Sequence, residues 1–383
     1  MYKHIKSLTS MRGIAALIVV ILHFSYYALP KTGSTLSNYS DFFKNGYLWV
    51  DFFFILSGFI MTHVYAEDFY LKVSLDNYRS YLFSRFARIY PLHIFILSLF
   101  IGLEFVKLFL PNHSAFTGKF NLTALFANIS LLQAFDLNCP PLFWCNTYWN
   151  EPAWSISVEF VIYCIFPLLL FVLLRSSEKN DLIIYSFTLF SILLLITFTR
   201  GNLDSIIGIP SIARCGLECI LGIITYKVYR RGNYRKYFNL NFLAIIAIIW
   251  IILIMHYYWH HWRSLHDWLI LPAFSILILA ISVNHNGAIS KFLNSRLMLY
   301  LGTISYSIYM VHWFIQELLK LFWIYAFHNA FGKGFTEYEA LTSLVVFLMM
   351  VLFAASLTYR FVEVPARNYL KSTILRKECI ERQ

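Results

Sequence analysis

Ten windows of about 20 mostly apolar residues, the length a helix needs to cross a bilayer, follow one another along the chain. They run near Gly13–Pro30, Tyr47–Ala66, Ile89–Leu110, Ala153–Leu174, Leu182–Thr199, Ile206–Tyr226, Leu240–Tyr258, Trp268–Val283, Leu299–Ile324 and Tyr338–Tyr359. The chain is therefore expected to be all-α, a polytopic integral membrane protein with about ten transmembrane helices. Composition points the same way. Only 13% of the 383 residues are charged and 59% are hydrophobic, whereas soluble domains carry about 25% and about 45–50%. Too little polar side chain is present to cover a soluble globule, which argues against a soluble enzyme, a disordered chain or a nucleic-acid-binding domain.

The 31 basic residues set the orientation. With the N-terminus in the cytoplasm, 22 of them fall in inner segments and seven in outer loops or outer helix ends. Lys and Arg are retained on the cytoplasmic side, so both termini are expected inside, and the formal charge of +11 needs no nucleic acid to explain it. Phe120–Phe135 is apolar enough to tempt an eleventh crossing, but it contains Asn121, Thr123, Asn128, Ser130 and Gln133. A crossing there would turn the basic run Lys227–Lys236 outward, so the segment is read as an interfacial or re-entrant helix. It lies within Pro111–Pro152, the longest outer stretch, and long ordered loops usually carry function. The first apolar run lacks a small-residue cleavage pattern after Leu22 and reads as an uncleaved span. No internal repeat or low-complexity stretch is present, and residues 1–383 read as a single integral domain without an appended soluble one.

Ionisable residues at bilayer depth are costly and default to functional candidates. His23, Asp51, Glu159, Arg214, Glu218 and His312 occupy such positions. His23 lies eleven residues beyond Arg12, about 16 Å along a helix, which places it in the outer half with Asp51 and Glu159. Each has a bland alternative. Arg214 and Glu218 are four apart and can neutralise one another, and a membrane His often only bridges helices. His23 and Glu159 have no opposite charge at helical spacing on their own windows, so each should find its partner on another helix.

These residues sit in strings that resemble the membrane acyltransferase 3 family. Leu8–His23 (LTSMRGIAALIVVILH) is similar to the family's opening, with Arg12 and His23 at its Arg-to-His spacing. Trp49–Phe59 (WVDFFFILSGF) resembles its second-helix signature, with Trp49 where Gly is usual, and Ser84–His93 (SRFARIYPLH) its Arg-x-x-Arg motif. Trp154–Phe160 (WSISVEF) is similar to its Trp-Ser-Leu-Ser-Val-Glu, with Phe160 where many members have a second acid. Arg214–Gly222, Ser305–Trp313 and Phe361–Arg367 continue the match in order, over nearly the whole chain. The resemblance implies a membrane-bound O-acyltransferase, commonly an O-acetyltransferase. It would move an acyl group from cytoplasmic acetyl-CoA, or another acyl-CoA, to a hydroxyl of a cell-surface glycan or glycolipid such as O-antigen or exopolysaccharide. It also implies residence in a bacterial cytoplasmic (inner) membrane, in contact with membrane lipids.

Thioester acyl transfer needs a base for the alcohol, stabilisation of an oxyanion and alignment of the substrates. His23 is expected as general base, its unperturbed pKa being near 6.5, with Glu159 or Asp51 orienting it. An acyl-enzyme through His23, Ser155 or Ser157 is the second route. Arg12, Arg85 and Arg88 are the candidates for the phosphates of the CoA donor, which a planar guanidinium suits. Trp154, Ser155, Ser157, His312, Arg214 and Glu218 are the candidates for binding substrate. No metal is expected: His256 and His260 share a helical i, i+4 spacing, but His and aromatic residues are common at helix ends near the interface. Cys139 and Cys145 face the oxidising side, where a disulfide is plausible chemistry. Asn38, Asn112, Asn121 and Asn128 begin Asn-x-Ser/Thr sites that matter only in a eukaryotic secretory pathway. The competing reading is a polytopic transporter using the buried His, Glu and Arg as a relay, though the paired, broken half-repeats such folds often show are not apparent.

Overall fold

The computed structural model describes residues 4–111, 114–135, 148–199, 201–204, 208–233, 239–257, 263–283 and 287–381. Among them there is no strand. Among the described residues, eight helical segments are long and apolar enough to cross a membrane: Lys6–Ala28, Lys44–Phe69, Leu75–Lys107, Glu151–Leu173, Glu178–Phe198, Ile209–Arg231, Arg263–Val283 and Glu337–Ser372. The protein is thus an all-α, polytopic membrane protein. Two of the ten expected windows fold differently. The seventh makes a helix of only 17 residues, Leu240–His256, and the ninth breaks at Ile304 into an eight-residue helix and a longer one that carries Glu317 and Lys320. Phe120–Phe135 holds an eight-residue helix, Leu122–Ile129, about 12 Å long and too short to cross.

The chain packs as two compact units, each assembled from separate stretches. The first comprises Met1–Val73 and Ile165–Ser305, the second Ser74–Cys164 and Tyr306–Gln383. The first holds α1 (Lys6–His23), α2 (Pro30–Ser37) and α3 (Trp49–Phe69). The division falls inside α6 (Trp154–Leu173), after which come α7 (Glu178–Phe198), α8 (Ile209–Arg231), α9 (Leu240–His256), α10 (Arg263–Val283), α11 (Ala288–Leu293) and α12 (Arg296–Thr303). Small residues set its closest contacts, as expected where backbones must approach without a hydrophobic drive between helices. A Cβ on Gly302 of α12 would stand 2.0 Å from the Thr9 carbonyl oxygen of α1, and one on Gly222 of α8 would stand 2.1 Å from that of Ile55 in α3. At the ends of α7 and α8, buried Lys227 donates from Nζ to Asp181 Oδ1 (2.6 Å), Ser176 Oγ (2.6 Å) and the Leu173 carbonyl (2.5 Å). Arg231 binds the other Asp181 oxygen at 2.5 Å. Basic residues that read in the sequence as simple orientation signals here lock helix ends together.

The second unit holds α4 (Leu75–Lys107), α5 (Leu122–Ile129), the first half of α6, α13 (Ser305–Phe327), α14 (Glu337–Thr358) and α15 (Val364–Glu381). Ser74 caps α4 by accepting from the Asn77 N–H, and Thr336 with Glu339 forms a capping box on α14. With 33 residues, α4 is about 50 Å long, well beyond the roughly 30 Å hydrocarbon core. Side chains tie α13 to its neighbours. Tyr306 donates to the Ile89 carbonyl (2.6 Å), Tyr309 to the Pro152 carbonyl (2.9 Å), and Asn150 to the Met310 carbonyl (3.0 Å). α14 passes through one π-helical turn, Tyr359–Glu363, into α15.

Candidate functional site

His23 ends α1, and the next residues, Phe24–Ala28, form a single π-helical turn closed by the Leu29 N–H on the Phe24 carbonyl (2.8 Å). Single π turns inside α-helices occur often at functional sites, because the extra residue re-aims the side chains beside it. His23 is half-buried, its ring edge-on to Tyr27 at 5.8 Å. Arg12 is also half-buried and lies on the same uninterrupted helix. Eleven residues amount to about three turns, so Arg12 and His23 share a face, the cation at one level and the imidazole about 16 Å further along. α1 is held against α12 at Gly13 and Gly302, where backbones touch, and Ser10 donates to the Leu293 carbonyl at 2.5 Å. The helix bearing both residues is therefore rigidly seated within its unit.

Asp51 lies in the first turn of α3, where the helix dipole favours a carboxylate. It is fully buried, and its Oδ1 accepts from Arg214 Nε (2.8 Å) and pairs with Nη2 at 2.7 Å. Arg214, also buried, donates from Nη1 to the Leu203 carbonyl (2.8 Å) and sits 3.5 Å from Glu218 Oε1. The sequence reading paired Arg214 with Glu218 along one helix. The structure makes Asp51 its nearer partner, on another helix 163 residues away. One guanidinium thus serves two carboxyl groups, and Asp51, expected beside His23, spends one oxygen on bracing α3 against α8.

A neighbouring network was not singled out from sequence. Asp267 of α10 accepts from Tyr47 Oη and from the Leu203 N–H, each at 2.8 Å, and its Oδ1 lies 2.8 Å from His266 Nδ1. His266 Nε2 donates to the Ile254 carbonyl at 2.7 Å. Leu203 therefore links Arg214 to Asp267 through its two backbone groups. The one available signal was a His-Asp pair at the start of an apolar helix. His256 binds Ser40 Oγ at 2.8 Å, so this member of the i, i+4 His pair is engaged in hydrogen bonding. His260 lies outside the described residues, as do Cys139, Cys145 and Asn112. Among the described residues no cluster of His, Cys, Asp or Glu has metal-site geometry.

In the second unit, Glu159 of α6 is half-buried and accepts from Tyr163 Oη at 2.5 Å, one turn on. Trp154 opens the same helix, half-buried. The two serines between them are committed to protein partners. Ser157 Oγ donates to the Leu131 carbonyl (2.6 Å) and accepts from the Ala134 N–H (3.2 Å), while Ser155 Oγ lies 2.8 Å from Tyr309 Oη and 3.0 Å from the Pro152 carbonyl. Ser157 thus fastens the stretch containing Leu131 and Ala134 to α6, and Ser155 ties the start of α6 to α13. His312 is fully buried on α13, between the rings of Tyr309 (5.9 Å) and Trp313 (6.4 Å). Arg85 and Arg88, both half-buried, stand one turn apart on α4. The structure thus brings together Asp51, Arg214 and Glu218, sets Arg12 and His23 on one face, and places Glu159, Trp154, Ser155, Ser157 and His312 in the second unit.

The family described as an acyltransferase domain matches residues 5–360. This chain belongs to the membrane acyltransferase 3 family. It is similar to O-acetyltransferase OatA of Staphylococcus aureus, 22% identical over 381 residues that cover 96% of this chain and 58% of that protein. It is also similar to acyltransferase MdmB of Streptomyces mycarofaciens, 30% identical over 167 residues, 42% of this chain and 38% of that one. The chain thus spans little more than half the length of OatA. No solved structure matches it. Against this family background, the π turn that begins immediately after His23 is what neither the motif nor the hydropathy announces.

Proposed function

We propose that the protein is a membrane-bound O-acyltransferase that moves an acyl group, acetyl in the simplest case, from cytoplasmic acyl-CoA to a hydroxyl of a bacterial cell-surface glycan or glycolipid at the cytoplasmic membrane. The observation that carries the reading is the half-buried His23 at an α-to-π junction, sharing a continuous helix face with Arg12. Membership of an acyltransferase family and similarity to an O-acetyltransferase support the reaction class. His23 takes the proton of the acceptor hydroxyl as that oxygen attacks the thioester carbonyl. The C–S bond then breaks, and the imidazolium returns its proton to the departing CoA sulfur. Arg12, Arg85 and Arg88 supply guanidinium groups for the donor's phosphates. Glu159 is assigned the carboxylate role in the second unit, with Trp154 and His312 on the substrate path, and Arg214 and Glu218 help fix the geometry of the first unit through Asp51.

The test uses full-length protein in liposomes, radiolabelled acetyl-CoA and the host's isolated surface glycan. His23→Ala should lose transfer by at least about 100-fold, the usual range for a general base, and Glu159→Gln is measured separately. Transfer at the wild-type rate by a normally inserted His23→Ala protein would overturn the assignment of His23. Absence of transfer by the wild type, coupled to uptake of a sugar or anion, would replace the reading with transport.

A further inference from the structure

Helices α4 and α15 of the second unit pack against each other. Each presents basic residues at helical spacing, Arg85 and Arg88 on α4 and Arg367 and Lys371 on α15. The Lys371 ammonium lies within electrostatic reach of Arg85, Arg88 and Arg367 together. Glu363 stands 3.9 Å from Arg367 Nη1 and accepts from Ser307 Oγ at 2.9 Å. Lys371 thus has three arginines within electrostatic reach, and one of them, Arg367, also faces a carboxylate already shared with a serine. The three arginines are half-buried and Lys371 is exposed, so none of the four is sealed inside the protein.

Orientation of a membrane protein asks only that basic residues lie on the cytoplasmic side. It gives no reason for four of them to converge from two helices almost 300 residues apart in sequence, where like charges repel. Convergence of this kind, with two or three guanidinium forks, is the chemistry that recognises a polyanion bearing several phosphates. We propose that Arg367 and Lys371 of α15 complete, with Arg85 and Arg88 of α4, the site for the phosphate groups of the CoA donor. The inference rests on the donor reading given above and adds two residues to it. α15 follows the π turn Tyr359–Glu363, which ends on the buried Glu363, so the fold fixes the phase at which Arg367 and Lys371 face α4. Anionic lipid headgroups offer the same phosphate chemistry, and the experiment separates the two sources.

Full-length protein in phosphatidylcholine nanodiscs is titrated with CoA, 3′-dephospho-CoA and pantetheine by equilibrium binding, for wild type, Arg367→Gln, Lys371→Gln and the double variant. Both positions are solvent-accessible, and a thermal melt on each sample confirms folding. Each single variant should weaken CoA about tenfold, as for loss of one charge-assisted contact. Pantetheine, which has no phosphate, should be unaffected, and the salt dependence of CoA binding should flatten. Unchanged CoA affinity in the folded double variant overturns the proposal, as does equal weakening of CoA and pantetheine. So does a result in which the variants alter only stabilisation by phosphatidylglycerol nanodiscs, which assigns the cluster to lipid. Failure of the wild type to bind CoA at all would instead count against the donor reading itself.

Discussion

Gly222→Ala tests how the first unit positions its charges. The added Cβ would stand 2.1 Å from the Ile55 carbonyl oxygen, 2.7 Å from the Phe59 nitrogen and 3.0 Å from the Gly58 carbonyl carbon, whereas ordinary contact begins at 3.4 Å. All three atoms are backbone and cannot rotate aside, so α3 and α8 must part by roughly 1 Å, an overpacking cost of about 1–3 kcal/mol. Asp51 lies two turns from Gly58 on α3, and Arg214 two turns from Gly222 on α8. Parting the helices strains bonds of 2.7 and 2.8 Å that have no solvent to replace them. If the pair breaks, a further about 3–5 kcal/mol is lost. At about 2–4 °C per kcal/mol, the melting temperature in detergent should fall by about 2–12 °C, and further if the pair opens. Gly102→Ala is the internal control: it lies within α4, and its Cβ would meet nothing within 4 Å. Alanine there gains roughly 1 kcal/mol of helix propensity, so the control should be neutral or stabilising. Equal melting temperatures for the two variants would refute the claim that glycine is needed for backbone contact.

Asp51→Asn leaves the buried Arg214 without its nearest full charge and should cost about 3–5 kcal/mol. The triple variant Asp51→Leu, Arg214→Met and Glu218→Leu, which removes all three buried charges, should recover most of that in thermal melts, and a triple variant as unstable as the single would show that these charges are not what holds α3 and α8. Ser155→Ala and Ser157→Ala should lower transfer by less than about tenfold, against at least about 100-fold for His23→Ala. Complete loss in either serine variant, with normal folding, would move the mechanism to a seryl acyl-enzyme. Lys227→Met removes three hydrogen bonds of 2.5–2.6 Å at the α7–α8 ends. It should destabilise by about 3 kcal/mol, as for one half of a buried pair, without changing the Kd for CoA; a changed Kd with an unaltered melt would give Lys227 a binding role instead.

Hydropathy alone made the class legible, because the cost of an unsatisfied backbone in hydrocarbon forces helices of a set length wherever the sequence stays apolar long enough. The count was less legible. Leu240–His256 is apolar but short, and Leu299–Ile324 contains Gly302, whose close approach to the Thr9 carbonyl belongs to a break that no window average registers. The motifs were sufficient for the family, and they pointed to His23, Glu159 and the arginines because ionisable groups are rare in apolar helices. The Arg214–Glu218 pair could be read from their spacing and is present, but the nearer partner, Asp51, lies on another helix and could not be read in one dimension.

By itself, then, the sequence determined that this chain is a helical membrane protein of an acyltransferase family and which few polar residues are worth testing. Those properties depend on side-chain chemistry and on the length of apolar runs, both local. Tertiary structure decided that Asp51 pairs with Arg214, that a π turn follows His23, that Ser155 contacts α13 while Ser157 fastens a loop, and that Lys371 lies within electrostatic reach of Arg85, Arg88 and Arg367. Each depends on which helix faces which and at what phase. A shift of one residue turns a helical side chain by about 100°, so the assignments rest on packing that no single helix encodes.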